Sequence, residues 1–149
     1  MEHAIEKSAV GAAMTLEYDI EQDDFSRAGE ASSKIKKLLK QLGIDSGIIR
    51  RIAIASYEAE INVVIHSNGG KITVFVKSDC IEVFVEDEGP GIENVEMAMT
   101  EGFSTATSAI RELGFGAGMG LPNMKRCSDN FFIESKLGES TRLKMVWSI

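Results

Sequence analysis

The most constraining feature of the sequence is a pair of neighbouring segments, residues 71–77 and 81–88, that alternate apolar and polar residues with a period of two. The apolar members that share one face are Ile72, Val74 and Val76 in the first segment, and Ile81, Val83 and Val85 in the second. Such alternation is typical of half-buried β-strands. Because only Ser78-Asp79-Cys80 separates the segments, the pattern predicts a β-hairpin.

The remaining periodicity predicts further strands and several helices. The predicted strands cover residues 14–20, 131–136 and 141–147, and the predicted helices cover residues 26–42, 46–67, 93–100 and 119–128. Ser26 and Ser46 are the expected N-caps of the first two helices, and Gly43 is expected to end the first. The order of elements predicts an α+β fold, a two-layer α/β sandwich with a mixed or antiparallel sheet and helices on one face. The regular strand–helix alternation of a doubly wound parallel fold is missing.

The composition limits the number of domains and the kinds of binding partner that are expected. The 149 residues contain no linker-like stretch, which predicts one domain over residues 1–149, with residues 1–13 as a mobile or partner-bound arm. The net charge of −7 disfavours nucleic acid and anionic membranes as partners. Cys80 and Cys127 do not make a disulfide framework, and neither a secretory signal nor a membrane-length apolar run is recognised. A cytoplasmic location is therefore expected.

Polar residues interrupt the apolar pattern of the second predicted helix. Glu58 and Asn62 fall inside its apolar arc and, at a spacing of four, stack on one face, whereas Ser56 and Glu60 fall outside the arc. Burial of a carboxylate and an amide without partners costs several kcal/mol, so the position of this pair inside the apolar arc requires an explanation. A helix-edge glutamate with a structural asparagine is one explanation. Arg51 also projects into the arc and could pair with Glu58.

A second polar interruption lies at the end of the predicted strand 81–88. Asp87 has the same parity as the apolar residues of that strand, so its side chain is expected to point inward. The turn Gly89-Pro90-Gly91-Ile92 follows, in which glycines allow close approach to a ligand. An aspartate that caps the turn explains the glycines but not the inward parity.

A third feature is the glycine-rich segment 114–121, which directly precedes a predicted helix. Backbone amides beside a helix N-terminus suit phosphate binding, although the spacing fits neither a P-loop nor a dinucleotide fingerprint. A flexible hinge is the alternative explanation. The long loop 101–118 before the helix is expected to be a functional lid or disordered. The three features together describe a nucleotide pocket. In it the amide oxygen of Asn62 suits Mg²⁺ and Asp87 can accept from an exocyclic amine.

The three features also resemble the motifs of the GHKL ATPase superfamily. Residues 58–66 resemble its N box, residues 87–92 its first glycine box and residues 114–121 its second, within a similarity that covers about residues 45–147. The resemblance implies a Bergerat ATP-binding fold. His66 corresponds to the N-box histidine and not to a phosphoacceptor.

The resemblance also implies roles for particular residues. Glu58 would be the general base, Asn62 the Mg²⁺ ligand and Asp87 the adenine contact. Thr141 matches a late-strand threonine near adenine, although Gly138-Glu139-Ser140-Thr141 departs from the usual Gly-x-Gly-Thr. The full expected nucleotide-binding set is Asn62, Asp87, Gly89, Gly91, Ile92, Ser104, Thr105, Arg111, Gly114, Gly116, Ala117, Gly118, Met119, Gly120, Leu121 and Thr141.

Within that superfamily, the small size and Gly102-Phe103-Ser104-Thr105 look most like bacterial anti-sigma-factor serine/threonine kinases. The resemblance implies that ATP and Mg²⁺ are bound, that a STAS-domain anti-anti-sigma protein is phosphorylated, and that a sigma factor is regulated by partner switching. It also suggests a homodimer formed through the sheet or the early segment. The alternative is a non-catalytic module that binds nucleotide to switch a partner. A plain α+β interaction domain without nucleotide is the third reading.

Overall fold

A computed structural model describes residues 5–22, 24–89, 99, 120–135 and 138–149. The described residues form five strands and three α-helices, with a 3-10 turn at Phe25–Arg27. In chain order these are β1 Ala12–Ile20, α1 Glu30–Gln41, α2 Ser46–His66, β2 Gly70–Lys77, β3 Cys80–Asp87, α3 Gly120–Cys127, β4 Asn130–Glu134 and β5 Arg142–Ser148. The predicted helix 93–100 and lid 101–118 lie outside the described residues, apart from Met99, which packs against the core.

The five strands form one sheet in the order β1-β2-β3-β5-β4, and every neighbouring pair is antiparallel. The predicted hairpin is confirmed, because β2 pairs with β3 in a register that sets Val76 opposite Ile81 and leaves Ser78 and Asp79 as the connection. The predicted α+β sandwich is also confirmed. Its sheet is antiparallel throughout the described residues.

The main core lies between the inner face of the sheet and the helices. The sheet contributes the residues whose alternation defined the hairpin, together with three residues of β5: Leu143, Met145 and Trp147. The helices contribute Ile35 and Leu39 of α1, Ile52, Ala55, Ala59 and Val63 of α2, and Leu121 and Met124 of α3. Trp147 is fully buried, and its Nε1 atom donates a 2.7 Å hydrogen bond to the carbonyl of Cys127. This bond fixes the end of α3 against β5.

The first helix begins later than the sequence predicts. Ser26 lies in the 3-10 turn and donates to Asp24, while α1 starts at Glu30 with Gly29, at a φ of 93°, as its N-cap. The carboxylate of Glu60 accepts from the backbone amides of Ala31 and Ser32 at 3.1 and 3.2 Å. The buried carboxylate of Glu60, which belongs to α2, therefore accepts from backbone amides that the side chain of a serine N-cap would otherwise satisfy. Gly43, at a φ of 75°, follows the helix end as predicted.

The ends of α2 agree with the prediction to within one residue. Asp45, rather than Ser46, is the N-cap, and its side chain accepts from the amides of Gly47 and Ile48. Arg51 donates to Asp129 at 2.6 Å, so it pairs with the residue before β4 and not with Glu58. None of the helices in the described part of the chain is long and apolar enough to cross a membrane.

The opposite face of the sheet carries a smaller apolar cluster, in which Ile5 packs on Phe75 and Phe84. All three side chains are at most 4% exposed. The carbonyl of Ile5 accepts from Arg142 at 3.4 Å. Residues of the predicted N-terminal arm therefore lie against the outer face of the sheet.

Candidate active site

The predicted site residues lie in two polar clusters. The first consists of Glu58, Asn62 and Gly120 and lies where α2 meets α3. A β-carbon added to Gly120, the first residue of α3, would lie 3.1 Å from Oδ1 of Asn62 and 3.4 Å from Oε2 of Glu58. The backbone of α3 thus approaches both side chains so closely that a glycine fits best there. The structure brings Glu58, Asn62 and Gly120 together, as the predicted site requires.

Burial and one hydrogen bond set the electrostatics of Glu58. Burial raises the pKa of its carboxyl above the ordinary value, and a hydrogen bond from the Asn123 side chain acts in the opposite direction. Oδ1 of Asn123 in turn accepts from Nη1 of Arg126 at 3.2 Å, which orients the amide nitrogen as the donor. Sequence reasoning missed Asn123; its place three residues after Gly120 on the same helix was the available signal.

Burial along α2 differs from the predicted arc. Glu58 and Asn62 are half-buried, whereas Ser56 and Glu60, which were expected outside the arc, are 0% and 3% exposed. The prediction was wrong because it assumed a single buried face. Glu60 is instead enclosed between α2 and the first turn of α1, where both of its oxygens accept backbone hydrogen bonds. Glu58 and Asn62 lie on the side that faces α3.

Asp87 and Thr141 form the second cluster. Oδ1 of Asp87 accepts from the amides of Gly89 and Thr141, both at 2.8 Å, and the amide of Asp87 donates to the carbonyl of Thr141 at 3.0 Å. The turn-capping explanation therefore holds for this oxygen. Among the residues that the structure describes, none donates to Oδ2. Oδ1 therefore fixes the Asp87 side chain against the turn at Gly89 and the segment before β5.

The Thr141 side chain is also held in place. It is 6% exposed, and its hydroxyl lies 2.6 Å from the hydroxyl of Ser135. The departure from Gly-x-Gly-Thr therefore does not displace Thr141 from Asp87.

The loop after α2 ties the two clusters to each other. The amide of Asn68 donates to the carbonyl of Gly89 at 3.0 Å, and the amide of Glu88 donates to the carbonyl of Gly69 at 2.9 Å. Gly89 has a φ of 96°, a conformation that favours glycine. Asn62 and Ser67 are five positions apart, a rise of about 7.5 Å along α2, so the loop that contacts Gly89 begins about one and a half helical turns after Asn62.

The other predicted site residues divide into two groups. Leu121 is 6% exposed and belongs to the main core, so it packs beneath the site. Those outside the described residues are Gly91, Ile92, Ser104, Thr105, Arg111, Gly114, Gly116, Ala117, Gly118 and Met119.

The amide oxygen of Asn62 could hold a magnesium ion together with the phosphates of a bound nucleotide. Within the described ranges, no group of three or more His, Cys, Asp or Glu residues could hold a metal ion. Mg²⁺ is commonly bound by one or two protein oxygens plus substrate phosphates, and the amide oxygen of Asn62 beside the glycine backbone of α3 provides such a position. Desolvation lowers the pKa of the His66 imidazole below its ordinary value.

Comparison with known proteins connects this geometry to a family. Residues 47–148 match the family described as histidine kinase-, DNA gyrase B- and HSP90-like ATPases. The serine/threonine-protein kinase RsbT of Bacillus subtilis (strain 168) is 30% identical over 115 residues, which cover 74% of this chain and 80% of RsbT. An anti-sigma F factor of Clostridium acetobutylicum is 31% identical over 132 residues, 84% of each chain.

The fold has a solved counterpart. A chain in the crystal structure of the SiaB-SiaC complex from Pseudomonas aeruginosa superposes with a TM-score of 0.56, and 88% of each chain is covered. At 14% sequence identity this likeness concerns the fold alone.

Proposed function

The chain belongs to the family of histidine kinase-, DNA gyrase B- and HSP90-like ATPases, and on this premise we propose that it is an ATP-dependent serine/threonine protein kinase of the anti-sigma-factor type. Its acceptor is a STAS-domain anti-anti-sigma protein, and through this partner it regulates a sigma factor in the cytoplasm. The chain acts as a single domain over residues 1–149 and forms a homodimer. The observation that carries the proposal is the convergence of Glu58 and Asn62 on the glycine at the start of α3.

The base of the nucleotide lies at the second cluster. Oδ2 of Asp87 accepts from the exocyclic amine of adenine, because a carboxylate can only accept and its other oxygen is already engaged. Gly89 holds the turn beside it, and Thr141 lies on the same edge of the base. The triphosphate extends toward Asn62. The expected contacts to the phosphates come from the glycine-rich segment 114–121, Arg111, Ser104 and Thr105, of which the structure describes Gly120 and Leu121.

The amide oxygen of Asn62 would hold a magnesium ion together with the phosphates. When bound, this ion would offset the negative charge of the phosphates during transfer.

Glu58 acts as the general base. Its carboxylate accepts the proton of the attacking serine or threonine hydroxyl, while the bond from the hydroxyl oxygen to the γ-phosphorus forms and the bond to the β,γ-bridging oxygen breaks. ADP leaves with the electron pair of the broken bond. The raised pKa makes Glu58 a stronger proton acceptor than an exposed glutamate, and Asn123 fixes the orientation of the carboxylate.

The decisive experiment mixes the full chain with Mg-ATP and a cognate STAS domain and identifies the product by mass spectrometry. We expect phosphoserine or phosphothreonine on the STAS domain. Glu58→Gln is expected to abolish transfer while ATP binding persists, and Glu21→Gln, at an exposed position, serves as the matched control. Equal transfer by Glu58→Gln would refute the assignment of the base. Tight ATP binding without any phosphorylated product would instead identify a nucleotide-dependent binding module.

A further inference from the structure

We propose that Ser135 is a positioning residue that presents the Thr141 hydroxyl as a hydrogen-bond donor to the purine, and so contributes to selection of the base. The inference rests on the proposed function, because it assigns the base to the cluster of Asp87 and Thr141. Neither the motifs nor the family resemblance points to Ser135, which follows β4 immediately and lies outside every predicted motif.

The hairpin of β4 and β5 creates the contact between the two hydroxyls. Glu134, the last residue of β4, pairs with Arg142, the first residue of β5. Ser135 and Thr141 are therefore the next facing positions, at the open end of the hairpin. Their hydroxyl oxygens are 2.6 Å apart, at the short end of the range for O–H···O hydrogen bonds.

The environment leaves the Thr141 hydroxyl few other orientations. Its backbone is fixed by the two reciprocal hydrogen bonds with Asp87, at 2.8 and 3.0 Å. Its side chain is 6% exposed, so little of it is open to water. Asp87 thus fixes the position of Thr141, and Ser135 fixes the direction in which its hydroxyl points.

The direction matters because a hydroxyl has one proton and two lone pairs. Either oxygen can donate in the bond between Ser135 and Thr141. When a ligand offers an acceptor to Thr141, Ser135 donates to Oγ1 of Thr141 and the Thr141 proton points to the ligand. Donation by Ser135 also polarises the threonine hydroxyl and strengthens its own donation.

Together, Asp87 and Thr141 then display an acceptor beside a donor. Adenine offers the complementary pair, an exocyclic amine beside the ring acceptor N1. Guanine offers the reverse pair at these positions, a carbonyl oxygen beside an N–H donor. The serine therefore biases the site toward a purine that has an acceptor next to its amine.

The test measures binding of ADP and of 1-deazaadenosine 5′-diphosphate, in which a C–H group replaces N1, to the full chain by calorimetry. The native protein is expected to prefer ADP about fivefold, the value of one ordinary hydrogen bond. Ser135→Ala is expected to remove most of this preference by weakening ADP binding while the 1-deaza analogue binds as before. Ser135→Thr keeps the hydroxyl and should restore the preference, and Ser140→Ala, at an exposed position one residue before Thr141, should leave it unchanged.

The possible outcomes distinguish failure of the proposed function from failure of the role assigned to Ser135. If the native protein binds no ADP, the proposed function fails and this inference fails with it. If it binds ADP but Ser135→Ala keeps the native preference, or weakens both ligands equally, Ser135 has no positioning role and the inference alone is overturned. If Ser135→Ala does not fold, Ser135→Cys keeps nearly the same volume with a much weaker donor and is expected to lose the preference in the same way.

Discussion

The backbone amide of Thr141 donates a 2.8 Å hydrogen bond to Oδ1 of Asp87, and the amide of Asp87 donates a 3.0 Å hydrogen bond to the carbonyl of Thr141. This reciprocal pair joins the end of β3 to the residue before β5, two segments that are 54 positions apart in the chain. It orients the carboxylate before any ligand arrives. The Asp87 side chain of the candidate site is therefore held in place by the end of the sheet.

Replacement of Asp87 by asparagine separates the two functions of this carboxylate. The amide oxygen of Asn can still accept from Thr141 and Gly89, but its NH₂ group would replace the open oxygen with a donor. We expect Asp87→Asn to fold and to bind ADP at least about tenfold more weakly, because a hydrogen bond to a charged group is lost. Asp87→Ala should in addition destabilise the fold by about 1–3 kcal/mol, since two backbone amides lose their acceptor. Calorimetry and denaturant unfolding would check both; native-like ADP affinity in Asp87→Asn would contradict the assignment.

Removal of the Asn123 side chain is expected to shift the pH dependence of phosphoryl transfer. The hydrogen bond from Asn123 counteracts the effect of burial on Glu58, so Asn123→Ala should raise the pKa of Glu58 further. A general base acts when deprotonated. The acid limb of the rate profile should therefore move to higher pH, with ADP affinity nearly unchanged. Lys125→Ala, at an exposed position on the same helix, provides the control, and an unshifted acid limb in Asn123→Ala would count against the role of this amide.

The raised pKa of Glu58 also predicts how its removal affects stability. A carboxyl group whose pKa is higher in the folded state binds its proton more tightly there, so it favours folding at low pH and disfavours it once both states are ionised. Glu58→Gln should therefore raise the Tm at pH 7, and this gain should shrink as the pH falls through the raised folded-state pKa of Glu58 and disappear below the ordinary pKa of a glutamate. Calorimetric melting at several pH values would test this. A Tm that falls at pH 7 would show that the carboxylate stabilises the fold.

Gly120 offers a test of how closely α3 approaches the site. In Gly120→Ala the new β-carbon would lie 3.1 Å from Oδ1 of Asn62, a tight contact that forces this side chain or the helix to move by a few tenths of an ångström, and 3.4 Å from Oε2 of Glu58. We expect phosphoryl transfer to fall about tenfold to a hundredfold, since small displacements in a catalytic site are costly. The Tm should change little. Gly47→Ala, in the first turn of α2 and away from the site, is the matched control, and full activity in Gly120→Ala would refute the close approach.

The sequence predicts features of the fold that depend on local patterns. The hairpin of β2 and β3 follows from alternation within each strand, as at Val74 and Val83, and the structure reproduces it almost to the residue. The start of α1 depends instead on Glu60, about 30 positions later in the chain, which no local pattern reveals. A strong candidate cap at Ser26 therefore misled the prediction.

The candidate site likewise combines residues that local patterns predict with residues whose contacts depend on the tertiary structure. Glu58, Asn62 and Asp87 were identified because each interrupts an apolar pattern, and membership of the ATPase family is confirmed by the match over residues 47–148. Asn123 and Ser135 interrupt no pattern. They reach Glu58 and Thr141 only when α3 packs on α2 and when β4 pairs with β5, which are tertiary events.

The cluster on the outer face of the sheet affects how this protein can be shortened. Ile5 packs on the rings of Phe75 and Phe84, beside the partly buried Ala12 and Phe132, and Lys7 holds the same segment by its 3.3 Å ion pair with Glu86. A variant trimmed to begin at β1 would keep Glu58, Asn62 and Asp87 but expose more of the two phenyl rings to water. Self-association of such a variant in concentrated solution would reflect this uncovered patch, and it should not be mistaken for a native assembly.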